Sequence, residues 1–420
     1  MKARAARLHG AGDIRLDEFE LPPITDGEVL VKVVSDSVCM STYKMAIAGG
    51  NHKRVPEGFE EHPPICGHEF AGEIVEVGAK WADKYKPGMK FTIQPNLQNG
   101  EPWSAGYSYE FCGGDATYCI LYEALIERGC LLEYTGDGFY KASVTEPMSC
   151  NIGAFHASFH TKPGVYVHDM DIKEGGNLAL VAAAGPMGLG GLIYALYRDR
   201  KPSTIVLADI SEERLERARE LFPADEVKEK FGVDLHIVNN GEAEDPVAFL
   251  RGFTDGKGFD DVFCYAPVAP VVTLSDAILG NDGCLNFFAG PVDHQFTAPM
   301  NFYNVHYEAT HVIGTSGGNT DDMKESLELT GRGMDPSVMI THIGGLDAAA
   351  DTSLNLPKIP GGKKLIYTHI EMPLIALSDL RSKADEDERY GVLADMVDAN
   401  RGLWSPEAEE YLLSHWENVE

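Results

Sequence analysis

Residues 177–209, NLALVAAAGPMGLGGLIYALYRDRKPSTIVLAD, decide the fold of this chain. An apolar run at 177–183 precedes a tight turn, GPMG at 185–188, and an apolar segment with helical character follows at 189–198. A second apolar run, 204–209, ends in an aspartate. This order of strand, glycine turn, helix, strand and acid is typical of the first βαβ unit of a nucleotide-binding sheet.

The turn predicts a dinucleotide site, because its glycines let the backbone approach a pyrophosphate at the helix N-terminus. The predicted cofactor-binding residues are Gly185, Pro186, Met187, Gly188, Asp209 and Arg214. Asp209 favours NAD(H), since a carboxylate accepts from the ribose hydroxyls and repels a 2′-phosphate. A turn residue at a strand end is the simpler interpretation of Asp209. Arg214 either pairs with solvent or a glutamate or weakens the preference for NAD(H).

The motif is imperfect, because Ala183 occupies the first glycine position, so the prediction depends on the alternation that surrounds it. Further strands are expected at 235–238, 260–265 and 284–289, with an edge strand at 311–315 and helices at 246–253 and 271–279. Several parallel strands separated by helices form a doubly wound sheet, whose ligands bind at the carboxyl ends of the strands.

The first 150 or so residues contain short β-like runs between glycines and prolines, which predicts a β-rich, barrel-like domain. Cys39 follows one run, and Gly67-His68-Glu69 stands at the start of another. Thiolate, imidazole and carboxylate are all zinc ligands. A small buried apolar residue is the simpler interpretation of a lone cysteine, but His68 and Glu69 lie one loop later and favour a metal site.

Glu146 precedes Pro147 and a run with helical spacing, so we expect it just outside a helix N-terminus. It is either a helix-capping acid or a further metal ligand, and the residues leave both interpretations open. A structural zinc lobe requires four closely spaced thiolates. The segment from 91 to 119 contains only Cys112 and Cys119, so we predict no such lobe.

Composition limits the class of protein. The 420 residues, 44% of them hydrophobic, suggest about two domains. A net charge of −30 argues against binding to nucleic acid or to an anionic membrane. The chain shows neither a secretory leader nor an apolar run of about 18 residues, and its eight scattered cysteines suit reduced thiols. We therefore expect a cytoplasmic protein.

Together these features resemble the zinc-containing medium-chain dehydrogenase/reductase family over nearly the whole chain. The motifs that carry the resemblance are Gly67-His68-Glu69, Ala71-Gly72-Glu73, Val77-Gly78, Lys86-Pro87-Gly88 and Glu146-Pro147. The last is similar to the polyol dehydrogenase branch. The resemblance implies an α/β protein with a β-rich GroES-like catalytic domain at 1–155 and 311–420, including a C-terminal helical extension, and a Rossmann domain at 156–310.

The resemblance also implies roles for individual residues. Cys39, His68 and Glu69 would bind one catalytic zinc, with Glu146 as a further ligand. Ser41 would begin a proton relay, and Lys44 stands where many members carry a relay histidine. Met40 and Thr42 replace a usual glycine and aspartate. The implied reaction is hydride transfer between NAD(H) and a secondary alcohol or ketone, with NADP(H) not excluded.

The length near 420 residues and the passage 360–367 are similar to a group in this branch that reduces a ketose phosphate. The implied substrate is therefore a sugar or polyol phosphate. Lys44, His52, Lys53 and Arg54 are candidates to bind its phosphate, although a solvated loop is the simpler interpretation of the last three. The alternatives are a dehydrogenase of an unphosphorylated polyol or sugar acid and a non-catalytic nucleotide-sensing protein. Family membership would also imply a homo-dimer or homo-tetramer.

Overall fold

A computed structural model describes residues 1–97 and 100–416. The chain divides into two compact units, Met1–Glu146 with Ile340–Glu420 and Pro147–Met339. These bounds differ from the expected 155/156 and 310/311. The expected first domain extends to residue 420, so its last four residues lie outside the described part of the chain.

The amino-terminal part of the first unit is mostly β-structure. Its strands are β1 (Lys2–Gly10), β2 (Asp13–Glu20), β3 (Val29–Val38), β4 (Phe70–Val77), β5 (Lys90–Ile93), β6 (Tyr118–Leu121) and β7 (Leu131–Glu133). Its helices are α1 (Met40–Ala48), α2 (Glu123–Glu127) and α3 (Phe139–Ser143), and α4 (Thr145–Ala157) begins at its end. Glu146 thus lies inside the first turn of α4, not just outside it as expected.

The second unit alternates strands and helices. Its strands are β8 (Phe159–Lys162), β9 (Val165–Met170), β10 (Asn177–Val181), β11 (Thr204–Asp209), β12 (Asp234–Asn239), β13 (Phe259–Cys264), β14 (Leu279–Phe287) and β15 (His311–Ile313). Its helices are α5 (Pro186–Tyr197), α6 (Glu212–Leu221), α7 (Ala224–Phe231), α8 (Pro246–Gly252), α9 (Ala269–Ala277), α10 (Phe302–Tyr307) and α11 (Thr320–Gly331).

Six of these strands form one parallel sheet in the order β12-β11-β10-β13-β14-β15. Strand β10, which comes first along the chain, lies at the centre of this sheet. The doubly wound sheet is therefore confirmed. Strand β15 pairs with β14 at the edge of this sheet, which explains why residues after 310 group with the second unit. The hairpin of β8 and β9 was not predicted, because it interrupts the alternation of strands and helices.

The chain then returns to the first unit. Its remaining elements are β16 (Ile340–Gly345), α12 (Ala349–Asn355), β17 (Lys363–Tyr367), β18 (Ile375–Ala376), α13 (Glu388–Ala399) and α14 (Pro406–His415), with a 3₁₀ helix at Leu377–Lys383. We call residues 377–416 the C-terminal extension. No helix among the residues that the structure describes is long and apolar enough to cross a membrane.

The eight-stranded sheet of the first unit runs β18-β16-β17-β3-β4-β5-β7, and β6 also pairs with β3. Strand β3 is buried along most of its length, as expected for a central strand rich in valine. On one side it pairs with β4, and on the other it pairs antiparallel with β17 from more than 300 residues later. The ends of these three strands carry the residues of the candidate site.

Candidate active site

The loop before β4 carries His68 and Glu69, and a glycine shapes it. Gly67 has a φ of +84°, and a Cβ there would lie 2.5 Å from the backbone nitrogen of Asp115. Only glycine suits both the left-handed backbone and this close approach. Cys39 follows β3 and is the N-cap of α1, where its Sγ accepts from the backbone N–H of Ser41 at 3.5 Å.

The structure brings Cys39, His68 and Glu69 together in the first unit. One ligand atom from each side chain lies within 4.8 Å of those of the other two. His68 and Glu69 are buried, and Cys39 is half-buried. A sulfur, an imidazole nitrogen and a carboxylate oxygen form a donor set that suits Zn²⁺, and three protein ligands leave one position open, as in catalytic zinc sites. The residues therefore fit a catalytic zinc.

Both ring nitrogens of His68 have partners. Nδ1 lies 3.3 Å from Thr42 Oγ1, and Nε2 lies 3.2 Å from the hydroxyl of Tyr107, whose ring centroid is 4.8 Å from the imidazole. Burial holds the pKa of His68 below its ordinary value, which favours the neutral, metal-binding form. Thr42 thus supplies a hydrogen-bond partner for His68, at a position where the resemblance implies that aspartate is usual. Tyr107 was missed, since no spacing in its segment connects it with His68.

Lys363, the first residue of β17, forms a buried ion pair with Glu69. Its Nζ lies 2.6 and 2.7 Å from the two carboxylate oxygens, and the side chains are 6% and 1% exposed. Burial alone would lower the pKa of Lys363, but the charge of Glu69 raises it above its ordinary value. This lysine was also missed, because it is 294 residues from Glu69 and only the pairing of β17 with β3 brings it to the site.

Glu146 acts on the same site electrostatically. Burial, reinforced by the charge of Glu69, raises the pKa of Glu146 to about 7. Its charge in turn opposes the effect of burial on His68. Glu146 is outside the group of three whose ligand atoms lie within 4.8 Å of one another. The structure therefore brings Cys39, His68 and Glu69 into one group and leaves Glu146 outside it.

Two buried carboxyl groups, those of Asp36 and Asp115, lie close to the loop that carries His68 and Glu69. Asp36 Oδ1 accepts from the backbone N–H of Glu69 at 3.0 Å. Burial and the neighbouring charge of Asp115 raise the pKa of Asp36 well above its ordinary value, and burial raises the pKa of Asp115 to about 7. The pair therefore retains a proton near neutral pH, as adjacent buried carboxyls do.

The residues predicted to bind the substrate differ in their contacts. Arg54 stacks its guanidinium over the Tyr107 ring at 4.8 Å, and His52 stacks on the same ring at 5.8 Å. Burial lowers the pKa of His52 to about 4, so this imidazole is neutral at pH 7. Lys53 is exposed. Tyr107 connects Arg54 with His68, and no contact of this kind places Lys53 at the site within the described residues.

Ser41 and Lys44 both lie on α1, directly after Cys39. Burial raises the pKa of the Tyr107 hydroxyl well above its ordinary value. A hydrogen bond to the Ser41 side chain opposes this increase in part. Ser41 is therefore close to both Tyr107 and Cys39. Lys44 is half-buried one helical turn further on.

The glycine turn of the second unit leads directly into α5, which begins at Pro186, three residues before the expected start at 189. Gly185 is the N-cap of α5, Pro186 is the first helical residue and Met187 follows. A Cβ on Gly188 would lie 2.1 Å from the carbonyl oxygen of Ala183, so the helix could not pack against its strand with a larger residue. A Cβ on Gly185 would meet only Arg214 Nη1, at 3.9 Å, which leaves open space beside the turn.

Asp209 ends β11 beside this turn and is buried. Its Oδ2 accepts from the backbone N–H of Ala184 at 2.9 Å, and its Oδ1 accepts from those of Ile210 and Ser211 at 2.8 and 3.1 Å. The carboxylate thus has a structural role in joining the glycine turn to the second strand. Arg214 presents its guanidinium to the same turn from α6.

Both units match known families. The alcohol dehydrogenase GroES-like domain matches residues 25–147, and the zinc-binding dehydrogenase domain matches residues 186–332. The chain belongs to the zinc-dependent polyol dehydrogenase branch of the medium-chain dehydrogenase/reductase family. It is an enzyme of the alcohol and polyol dehydrogenase class, and its expected GroES-like and Rossmann fold is confirmed.

Two similar proteins cover almost the whole chain. Mannitol-1-phosphate 5-dehydrogenase of Aliivibrio fischeri is 53% identical over 98% of each chain. L-sorbose 1-phosphate reductase of Klebsiella pneumoniae is 43% identical over 99% of this chain and 98% of its own. Among solved structures, 2R,3R-butanediol dehydrogenase of Bacillus subtilis superposes with a TM-score of 0.70, at 23% identity, over 87% of this chain and 99% of its own. That structural match supports the fold.

Proposed function

We propose that this enzyme transfers hydride between NAD(H) and the secondary alcohol or ketone of a sugar or polyol phosphate, with one catalytic zinc per chain. The observation that carries the proposal is the convergence of Cys39, His68 and Glu69, whose ligand atoms lie within 4.8 Å of one another. Zinc held there would act as a Lewis acid that stabilises negative charge on the substrate oxygen.

The surrounding residues orient the ligands and move the proton. Thr42 holds Nδ1 of His68, and Nε2, which contacts the Tyr107 hydroxyl in the structure, would be the nitrogen that binds the metal. Lys363 compensates the charge of Glu69 in the absence of metal. Glu146, whose pKa of about 7 allows either protonation state, is the further ligand. Ser41 exchanges the proton with the substrate hydroxyl, and Lys44 passes it on along α1.

The dinucleotide binds at Gly185, Pro186, Met187 and Gly188, where the space beside Gly185 admits a pyrophosphate. Asp209 supports NAD(H) as the preferred cofactor, because its buried carboxylate disfavours a 2′-phosphate. Arg214, which lies beside the turn, is the residue that would bind the pyrophosphate or tolerate NADP(H). A solved structure of the same fold, from Sinorhizobium meliloti and 19% identical in sequence to this chain, has NADP bound.

Two similar proteins support a phosphorylated substrate, since their names specify mannitol 1-phosphate and L-sorbose 1-phosphate. The proposed reaction is of the type that converts L-sorbose 1-phosphate to D-glucitol 6-phosphate. Arg54, stacked on Tyr107 next to His68, is the cation best placed to bind the phosphate. Lys53 is the weaker candidate. A homo-dimer or homo-tetramer remains our prediction.

The deciding experiment assays the purified enzyme, with its zinc content measured, against sugar phosphates and the matching free polyols, each with NAD(H) and NADP(H). We expect about one zinc per chain and the highest kcat/KM for a phosphorylated substrate with NAD(H). A preference for free polyols would contradict the phosphate. Absence of both zinc and turnover would favour a nucleotide-sensing protein.

The phosphate role of Arg54 has its own test. We expect Arg54→Ala to reduce kcat/KM by about 10-fold or more for a ketose phosphate and much less for the free ketose, since a charge-assisted contact contributes about 1.5–3 kcal/mol. Lys53→Ala, the weaker candidate, is measured in the same way because its side chain is exposed in the same loop, and we expect it to change kcat/KM less than Arg54→Ala does. Equal losses on both substrates would rule out a phosphate contact.

A further inference from the structure

The C-terminal extension places one buried carboxylate against the segment that leads to Glu146. Glu409, on α14, is 3% exposed. Its Oε2 accepts from the backbone N–H of Phe139 at 2.5 Å, and its Oε1 accepts from that of Tyr140 at 2.9 Å. These are the first two residues of α3, and Glu146 follows the end of α3 by three residues.

Glu409 also contacts the strand that carries Lys363. The hydroxyl of Tyr367, at the end of β17, donates to Glu409 Oε1 at 2.8 Å. The indole N–H of Trp404 donates to the same hydroxyl at 2.7 Å, and Trp404 is fully buried. One carboxylate of the extension therefore joins α3 to β17.

Strand β3 closes this network. Tyr367 pairs with Ser35 in the antiparallel register of β17 and β3. The hydroxyl of Ser143, at the end of α3, lies 2.5 Å from that of Ser35 and donates to the backbone carbonyl of Ser35 at 2.9 Å. Strand β3 ends at Val38, directly before Cys39. Strand β3, which leads to Cys39, helix α3, which leads to Glu146, and strand β17, which carries Lys363, thus share one set of buried hydrogen bonds.

We infer that Glu409 is a positioning residue for the zinc site and that the C-terminal extension serves to align α3 with β17. The inference rests on the proposed zinc function. By fixing α3, Glu409 sets the position of Glu146, and through Tyr367 it sets the start of β17, where Lys363 holds Glu69. Substitution of residues that orient metal ligands without touching the metal commonly weakens metal binding.

The inference is tested with Glu409→Gln in the full-length enzyme, because the amide keeps the size but presents an NH₂ group to a backbone donor. Glu410→Gln, exposed on the same helix, is the control. We expect Glu409→Gln to release zinc to a chelator about 10-fold faster and to have a lower kcat, with KM for NADH unchanged. In the zinc-free protein we expect faster hydrogen exchange at residues 145–148 and 363–366.

A lower melting temperature with unchanged zinc release, kcat and exchange would overturn the inference, because it would show a purely structural role. Where Glu409→Gln does not fold, Tyr367→Phe decides by the same measurements, since it removes the bond from β17 to Glu409 and the acceptor of the Trp404 indole N–H but leaves both bonds from Glu409 to α3. Absence of zinc from the wild-type enzyme would instead contradict the proposed function, so the two failures are distinguishable.

Discussion

His68 is held at both ring nitrogens, and the partner of Nδ1 is a threonine hydroxyl instead of a carboxylate. We expect Thr42→Val to weaken zinc binding by about 10-fold or more, because the imidazole loses the group that orients it. Competition with a chromogenic chelator measures the effect. Thr25→Val, at an exposed position, is the control, and equal affinities for the two variants would contradict the orienting role.

We expect the buried ion pair between Lys363 and Glu69 to have a large effect on stability. Removing one partner of a buried pair leaves an uncompensated charge and costs about 3–5 kcal/mol. We therefore expect Lys363→Met to lower the free energy of unfolding by about this amount without zinc, and by less with zinc, since the metal supplies positive charge beside Glu69.

Urea unfolding with and without zinc tests this prediction. Lys324→Met is the control, because Lys324 and Asp321 form an exposed pair with side chains 60% and 85% accessible. A similar small loss in both variants would show that Glu69 does not depend on Lys363.

At the scale of elements, the packing of α5 against β10 depends on a glycine. A Cβ on Gly188 would lie 2.1 Å from a backbone carbonyl oxygen, and the backbone cannot move aside as a side chain could. We expect Gly188→Ala to destabilise the protein by about 1–3 kcal/mol or more and to weaken dinucleotide binding.

Gly331→Ala is the matched comparison, because Gly331 ends α11 and a Cβ there meets nothing within 4 Å. This change should be neutral or stabilising by up to about 1 kcal/mol. Thermal unfolding and NADH titration measure both variants. Equal melting temperatures for the two would show that the approach of α5 to its strand can relax.

At the scale of the whole molecule, buried carboxyls make stability depend on pH. Burial raises the pKa of both Glu409 and Glu146 from 4.5 to about 7. Between these values the folded, zinc-free protein binds more protons than the unfolded chain. Its free energy of unfolding therefore contains a contribution that is complete below about pH 4.5 and is lost as the pH rises through 7.

We expect Glu409→Gln to make the free energy of unfolding fall less steeply with pH, because the variant lacks one titrating carboxyl. One proton corresponds to a slope of up to about 1.4 kcal/mol per pH unit. Urea unfolding of the zinc-free protein at several values between pH 5 and 8 measures the slope. Glu410→Gln should retain the wild-type slope. A slope unchanged by Glu409→Gln would mean that this carboxyl titrates normally in the folded protein.

The sequence by itself determined the features that depend on neighbouring residues. The glycine turn before α5, the acid that ends β11 and the adjacent His68 and Glu69 are local patterns, because a βαβ unit and half of a metal site are built from short segments. The alternation of strands and helices was likewise sufficient for the doubly wound sheet. The alternation did not predict the hairpin at 159–170, because its two strands are not part of that alternation.

Only the tertiary structure decided which distant residues complete the site. Lys363, Tyr107 and Glu409 lie 294, 39 and 269 residues from their partners Glu69, His68 and Tyr140. A single lysine, tyrosine or glutamate has no signature at such separations. The register of β17 on β3 and the burial of α14 select these residues, because a charge or hydroxyl removed from water requires a partner, and the fold decides which partner is within reach.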